Sequence, residues 1–258
     1  MPSRRFLAKS AAWLALLLGG CGDDATGPAT EAAGQPETTR SRVLKAGATA
    51  LQTDAPPDGL DIYLVGFHPL KDDPEHQIEA HHFCRQVNEE LMQCALFDGN
   101  TAAANLTGIE YIVSERLFAS LPAEEQRYWH PHNGEILSGQ LVAPGLPVVA
   151  EKAMLRTKMN SYGKTWHTWD TSHGGGPGDA LPLGEPALAW SFSRFGELRP
   201  DLQEARDRRL GIDTDAKRQE RQDLVPLAHP QAGVDALNGR FPRPTQPIPG
   251  VVDRDADG

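Results

Sequence analysis

Regular alternation of apolar and polar residues begins near Leu60. Asp61-Ile62-Tyr63-Leu64-Val65-Gly66-Phe67 is rich in β-formers and is closed by His68-Pro69, which predicts a strand. After the turn Lys71-Asp72-Asp73-Pro74, the apolar positions Ala80, Cys84, Val87 and Leu91 recur at helical spacing, with Phe83 alongside. They predict a helix over residues 75–88 that turns Cys84 to the core. Strands are expected over 93–97, ending in the turn Asp98-Gly99-Asn100, and over 108–114, 135–142 and 165–170. The last of these sets Trp166 and Trp169 on opposite faces. Helices are expected over 115–120, from Pro122 with Glu124 and Glu125 in its first turn, and over 151–160. The pattern is that of an α+β protein, one domain over residues 60–193 with a mainly antiparallel sheet and packed helices.

The flanks break the pattern. Residues 21–59 are dominated by Gly, Pro, Ala, Thr and Asp and read as a flexible linker. Residues 194–225 read as a charged helical extension, with a thin stripe of Leu198, Leu202 and Ala205 and an i, i+4 pair at Glu204 and Arg208. The Pro-rich residues 226–258 read as a disordered tail.

The N-terminus sets the expected compartment. Arg4, Arg5 and Lys9 precede an apolar run over 11–18, and Leu18-Gly19-Gly20-Cys21 follows. The run is too short to span a bilayer and fits a signal peptide over residues 1–20. Small residues before a cysteine are the pattern of a bacterial lipoprotein, with cleavage before Cys21 and lipid (palmitate among its acyl chains) on Cys21. Gly22 at the next position carries no inner-membrane retention signal, so the expected location is the outer membrane, facing the periplasm. Loss of Arg4, Arg5 and Lys9 takes the net charge from −10 to −13. An acidic chain of this kind is a poor partner for nucleic acid, so membrane attachment falls to the lipid on Cys21.

The candidate chemistry lies in two dense stretches. Gln77-Ile78-Glu79-Ala80-His81-His82-Phe83-Cys84 is one; Trp129-His130-Pro131-His132-Asn133-Gly134-Glu135 is the other. His130 and His132 on an extended segment project to one side, with Glu135 three residues on. His81 or His82 supplies a third nitrogen, which gives a donor set for zinc or iron. On a helix His81 and His82 point about 100° apart, so at most one of them joins. The competing reading is a structural cluster of packed, hydrogen-bonded histidines. Cys84 and Cys94 have two readings as well. One helix carrying both would hold them about 15 Å apart, beyond the reach of a disulfide; the pair closes only if the chain turns back near Asn88. His173-Gly174-Gly175-Gly176 matches the oxyanion loop of some lipases, but the sequence has no Gly-x-Ser-x-Gly elbow to go with it.

Taken together, Gln77 to Cys84, Gln93-Cys94 with Asp98, Gly108 to Ser114, Leu121-Pro122, Trp129-His130-x-His132-x-x-Glu135, Pro144-x-x-Pro147, Tyr162-Gly163-Lys164 with Trp166, and Leu181-Pro182-Leu183-Gly184 with Pro186-Ala187-Leu188 resemble the oil body-associated protein family. The resemblance implies lipid-droplet association in plant members and carries no established catalytic residue. It leaves three readings of function: a lipid-anchored envelope protein binding an apolar ligand, a lipid surface or a partner protein; a metal-dependent enzyme built on His130, His132 and Glu135; and a purely structural envelope protein.

Overall fold

The computed structural model describes residues 25–52, 56–172 and 177–254. Cys21, the signal segment and the glycine string over 173–176 lie outside the described residues. Helix α1 (Thr39–Leu51) comes first and buries none of its residues. Four long strands follow, β1 (Ile62–Pro69), β2 (Gln77–Asn88), β3 (Leu91–Phe97) and β4 (Leu106–Val113), each antiparallel to the last. Short helices α2 (Glu115–Ala119) and α3 (Ala123–Gln126) lead to β5 (His130–Pro131) and α4 (Asn133–Leu137). Next come α5 (Val148–Lys158), β6 (Tyr162–His167), β7 (Ala187–Leu188) and β8 (Arg194–Phe195). Helices α6 (Pro200–Leu210) and α7 (Thr214–Glu220), and the strand β9 (Gln246–Pro247) paired with β8, come last among these elements.

The main sheet runs β1-β2-β3-β4-β6-β5, with β7 on β6, and it curls. Beyond β7, Ala189 N–H donates to Thr165 O of β6 at 3.0 Å, while Trp190 N–H donates to Pro69 O at the end of β1 at 2.8 Å. First and late strands therefore meet at one end of the sheet. The α+β class and the single antiparallel-sheet domain expected from the sequence are what the structure shows. Among the described residues, no helix is long and apolar enough to cross a membrane.

Over the expected helix, residues 77–88 form the strand β2. Ala80 and Cys84 satisfy a period of two as well as i, i+4, and pairing with β1 and β3 on both sides decides between them. The return at Asn88 is an Asx turn: its Oδ1 accepts from Glu90 N at 2.9 Å and Leu91 N at 3.0 Å. Cys84 then lies directly opposite Cys94, with Cα atoms 4.0 Å apart, and the two are joined in a disulfide. On a strand that turns back, the separation of about 15 Å that one helix would impose does not arise.

Three further expectations change. Residues 135–142 do not form a strand: Glu135 sits in the first turn of α4, and Val142 makes an isolated bridge to Val65. The charged extension is internal structure. Arg206 and Arg221 are fully buried; Arg206 donates to Gln140 O and Thr214 Oγ1, and Arg221 donates to Ile136 O and Leu141 O. Two buried guanidiniums thus pair carbonyls in α4 and in the loop after it, which an apolar side chain would leave unpaired. Nor is the tail disordered over 226–254. Val234, Leu237, Phe241, Ile248 and Val251 are buried, and Leu237 and Phe241 pack on Phe67, Trp190 and Phe192. Its apolar residues are spaced irregularly because prolines hold them in turns, so they show no period. Within the expected linker, residues 26–33 also dock: Ala29 N–H donates to Asp98 Oδ2 and Asn105 Nδ2 to Thr30 O.

Two outcomes test this packing. Leu237→Ala is expected to cost about 2–4 kcal/mol in urea denaturation; a disordered tail would lose nothing. Glu197 is buried where its Oε2 accepts from Ser193 N and Arg194 N, and desolvation pushes its carboxyl up to about 6. A raised folded value stabilises fully below the unfolded value of about 4.5 and is lost as pH rises through about 6, so wild type should lose about 2 kcal/mol relative to Glu197→Gln between pH 4 and 7. Parallel stability curves for the two proteins would contradict the burial of this carboxyl.

Candidate functional site

The inner face of the curled sheet carries polar groups where a core would be expected. β1 supplies His68, β2 His82, β4 Glu110 and β6 His167, while the turn from β5 into α4 supplies His130, His132 and Glu135. All seven are buried. Strand alternation aims Glu110 and His82 inward, and the curl brings His68 of β1 to His167 of β6, Nδ1 to Nε2 at 3.0 Å. Three imidazoles face the Glu110 carboxylate. His82 Nε2 is 3.0 Å from Oε2, His132 Nε2 3.2 Å from Oε1, and His130 Nε2 3.5 Å from Oε1.

The hydrogen-bond network assigns two of the tautomers. His82 Nδ1–H donates to Ala80 O at 3.1 Å. The Ser161 hydroxyl donates to Lys158 O, so Ser161 Oγ accepts from His132 Nδ1–H at 2.8 Å. Each imidazole thus commits its Nδ1 proton elsewhere and turns Nε2 on Glu110. Two nitrogen lone pairs against a carboxylate repel unless a proton or a cation lies between them. Tying off the far nitrogen in this way is how proteins orient metal-binding histidines.

The turn that holds His132 is fastened from the tail. Gln231, fully buried, donates from Nε2 to Ser161 O at 2.9 Å and accepts at Oε1 from Asn133 N at 3.1 Å.

Burial sets the protonation of the rest. Desolvation raises the Glu110 carboxyl, but its close contacts with His130, His132 and His82 outweigh that and hold it well below the usual carboxylate range. Desolvation, then repulsion from Glu110, pushes Glu135 well above that range. Burial lowers His130 to about 4, and it also lowers His167 to about 4, with repulsion from His82 adding to it. His68 lies well below the ordinary imidazole value for the same two reasons. Near neutral pH His68, His130 and His167 are therefore neutral, Glu110 is ionised and Glu135 is a neutral carboxylic acid.

Space is left among these groups. A Cβ on Gly163 of β6 would stand 2.3 Å from Glu110 Oε1 and 2.6 Å from both His130 Nε2 and His132 Nε2. Glycine at this position keeps the cradle open. Both ring nitrogens of His130, Oε1 of Glu135, Nδ1 of His167 and Oγ1 of Thr165 are buried without a hydrogen-bond partner among the described residues. Such orphaned atoms are rare in native interiors and call for a ligand or water. Beside them is a cavity of about 20 Å³ with apolar walls that include Leu64, Met92, Ile112 and Leu155, and its partly exposed edge is Met154 and Lys158. That volume holds one water-sized guest. Two triads, His130 with His132 and Glu135, and His68 with Glu110 and His130, each bring one ligand atom per residue within 4.8 Å of the others. Imidazole and carboxylate donors of this kind suit zinc or iron.

Of the residues singled out from the sequence, His82, His130, His132 and Glu135 come together. His81 does not: on a strand it faces the opposite side from His82, where its Nδ1 hydrogen-bonds Tyr63 OH at 2.7 Å and its Nε2 lies 3.2 Å from Glu79 Oε1. Only one histidine of the pair joins the site, through strand alternation rather than helical angle. Cys84 and Cys94, bound to each other, offer no thiolate. Glu110, His68 and His167 join the site without any local sequence signal. Glu110 alternates with Ile109 and Tyr111, so an amphipathic reading turns it to solvent, whereas it is Ile109 and Tyr111 that are partly exposed.

The family description "Protein of unknown function (DUF1264)" matches residues 54–225. Oil body-associated protein 1A of Zea mays is 38% identical over 207 residues, 80% of this chain and 84% of that protein. Oil body-associated protein 2A of Zea mays is 41% identical over 202 residues, 78% of this chain and 79% of its own. Oil body-associated protein 1B of Arabidopsis thaliana is 36% identical over 212 residues, 82% and 84% respectively. No solved structure matches the chain. With its family match across most of the folded residues and relatives aligned over four-fifths of its length, the chain belongs to the oil body-associated protein family, DUF1264, a family of unknown function.

Proposed function

We propose that this domain is a metal-dependent catalytic centre held at a membrane surface. The observation that carries the reading is the convergence of His82 Nε2 and His132 Nε2 on the buried Glu110 carboxylate, with both Nδ1 protons committed elsewhere. A divalent cation resolves the repulsion and gives His130 and Glu135 the partner they lack. Zinc or iron fits the nitrogen and oxygen donors at His130, His132, Glu135 and Glu110. The adjacent water-sized cavity leaves a coordination position open, the mark of a catalytic rather than a closed structural metal site. A metal in that position polarises a carbonyl or activates a bound water. The apolar walls favour an apolar substrate.

The lipid setting rests on two supports. The sequence before Cys21 has the lipoprotein pattern, which makes the protein an envelope protein anchored in the outer membrane and facing the periplasm. Its relatives carry names that associate them with oil bodies, also a lipid location. An anchored catalytic domain meets apolar substrates, or an envelope partner, at the membrane surface.

Untagged protein is expected to carry zinc or iron by elemental analysis, and Glu110→Gln or His132→Ala should weaken metal binding by ~100-fold or more. His81→Gln, on the other face of β2, should leave the metal content unchanged. Metal-free protein whose melting ignores both added metal and chelator would overturn the reading. For the anchor, Cys21→Ser should move the full chain from the membrane to the soluble periplasmic fraction; retention in the membrane would contradict it.

A further inference from the structure

The chain that follows Cys21 is fastened to the domain within a few residues. Thr26 N–H donates to Asn100 Oδ1 at 2.6 Å, and Asn100 N–H donates back to Thr26 O at 2.9 Å. From α6, Arg209 Nε donates to Thr26 Oγ1 at 3.0 Å. A Cβ on Gly99 would stand 2.2 Å from Thr26 O, so the turn after β3 needs glycine there for this strap to lie against it. The strap runs on past Asp98 and Asn105 to Ala33, whose N–H donates to Ala180 O at 2.8 Å. Thr26 is the fifth residue after Cys21, and five residues of extended chain span at most about 17 Å. A lipid on Cys21 is therefore held close to one end of the sheet.

That end exposes leucines. Leu106, next to Asn105, is 54% exposed, and Leu181 and Leu183, just past Ala180, are 49% and 64% exposed. Helix α1 begins six residues after Ala33 and buries none of its residues. Val43, Leu44 and Leu51 lie along one side of it, with Arg42 and Lys45 on the other. It carries Arg40, Arg42 and Lys45 and no acidic residue, in a chain of net charge −10, with Glu37 just before it paired to Lys45. An exposed apolar stripe with a basic flank suits the interface of an anionic bilayer. From the docked strap and the leucines at its two ends we infer that this end of the sheet is a membrane seat. The bilayer that holds the acyl chains of Cys21 also covers Leu106, Leu181 and Leu183, with α1 lying in its interface. This rests on the reading of Cys21 as lipidated.

Seating fixes where the buried site opens. Met154 and Lys158 edge its cavity, and Lys158 Nζ donates to Gln86 Oε1 at 2.7 Å, near the β2–β3 turn. Gln86 is in register with Met92, and Asp98, under the strap, lies six residues further on, about 20 Å of strand. The opening is thus at the far end of the sheet from the seat and faces the aqueous side. A guest reaches it from solution or from an envelope partner, not sideways out of the bilayer.

The test is depth-resolved quenching in the acylated full chain, reconstituted in vesicles of phosphatidylethanolamine and phosphatidylglycerol. With Cys84 and Cys94 in their disulfide and Cys21 acylated, a single introduced cysteine takes the fluorophore. Labels at Leu183→Cys and Leu44→Cys should be quenched by nitroxide-bearing lipid and shielded from iodide. A label at Glu89→Cys, exposed at the β2–β3 turn, should show the reverse. Equal access of iodide to Leu183→Cys and Glu89→Cys, in protein that still floats with the vesicles, overturns the seat and leaves the anchor standing. A chain that is not acylated and does not float overturns both. Shielding of Leu183→Cys without quenching by lipid means that a second copy or another protein covers the face, and it overturns the bilayer as occupant. Lipid quenching at Leu44→Cys alone also overturns the seat, since the helix would then be immersed without the leucines. Gly99→Val, which displaces Thr26, should keep the protein on the vesicles and open the Leu183→Cys label to iodide; full shielding in that variant would contradict the strap's part in the seating.

Discussion

A carboxylate buried without compensation costs several kcal/mol, and the structure around Glu110 is organised to meet that cost. Its partners come from two places far apart in sequence, His82 on β2 and His130 and His132 at the β5–α4 turn, so the sheet and the turn must both be in register for the charge to be tolerated. Removing one partner leaves the carboxylate short of a contact, whereas removing the carboxylate leaves several imidazoles short of theirs. That asymmetry makes Glu110 the node of the domain. It also accounts for the two buried arginines. Arg221 holds the carbonyls of Ile136 and Leu141 and Arg206 that of Gln140, and between them they fix the segment that carries Glu135.

The periphery repeats the logic at lower stakes. Gln231, in the C-terminal segment, clamps Ser161 and Asn133, and Ser161 in turn orients His132. Gln77 at the start of β2 donates to Glu197 O and accepts from Arg199 N, fastening the approach to α6. The disulfide pins β2 to β3 at Cys84 and Cys94, and Cys94 is paired in register with Glu110 itself. Segments that looked dispensable in composition are the ones that hold the site's geometry.

What the sequence made legible was local. β1, β3 and β4 declared themselves through β-branched and aromatic residues, and the α+β class followed from them. The Trp129–Glu135 stretch was recognisable as a site because three donors crowd seven residues. β2 was not legible, because Ala80 and Cys84 satisfy helical and strand periods alike and only the pairing with two neighbours chooses between them. Glu110 was hidden by its own strand, whose other inward positions are a glycine and an isoleucine. His68 and His167 are 99 residues apart, and nothing short of the curl brings them together. The ordered tail was illegible for a related reason. Its buried residues lie in proline-bounded turns, and burial there is a property of the surface they cover.

The proposed role of the imidazoles around Glu110 is to bind metal through nitrogen. X-ray absorption at the metal edge of zinc-loaded full chain tests it most directly. The account predicts a first shell of nitrogen and oxygen only, with the outer-shell scattering of several imidazoles, lost in Glu110→Gln. A sulfur-containing shell, or a shell of oxygen without imidazole scattering, would contradict it.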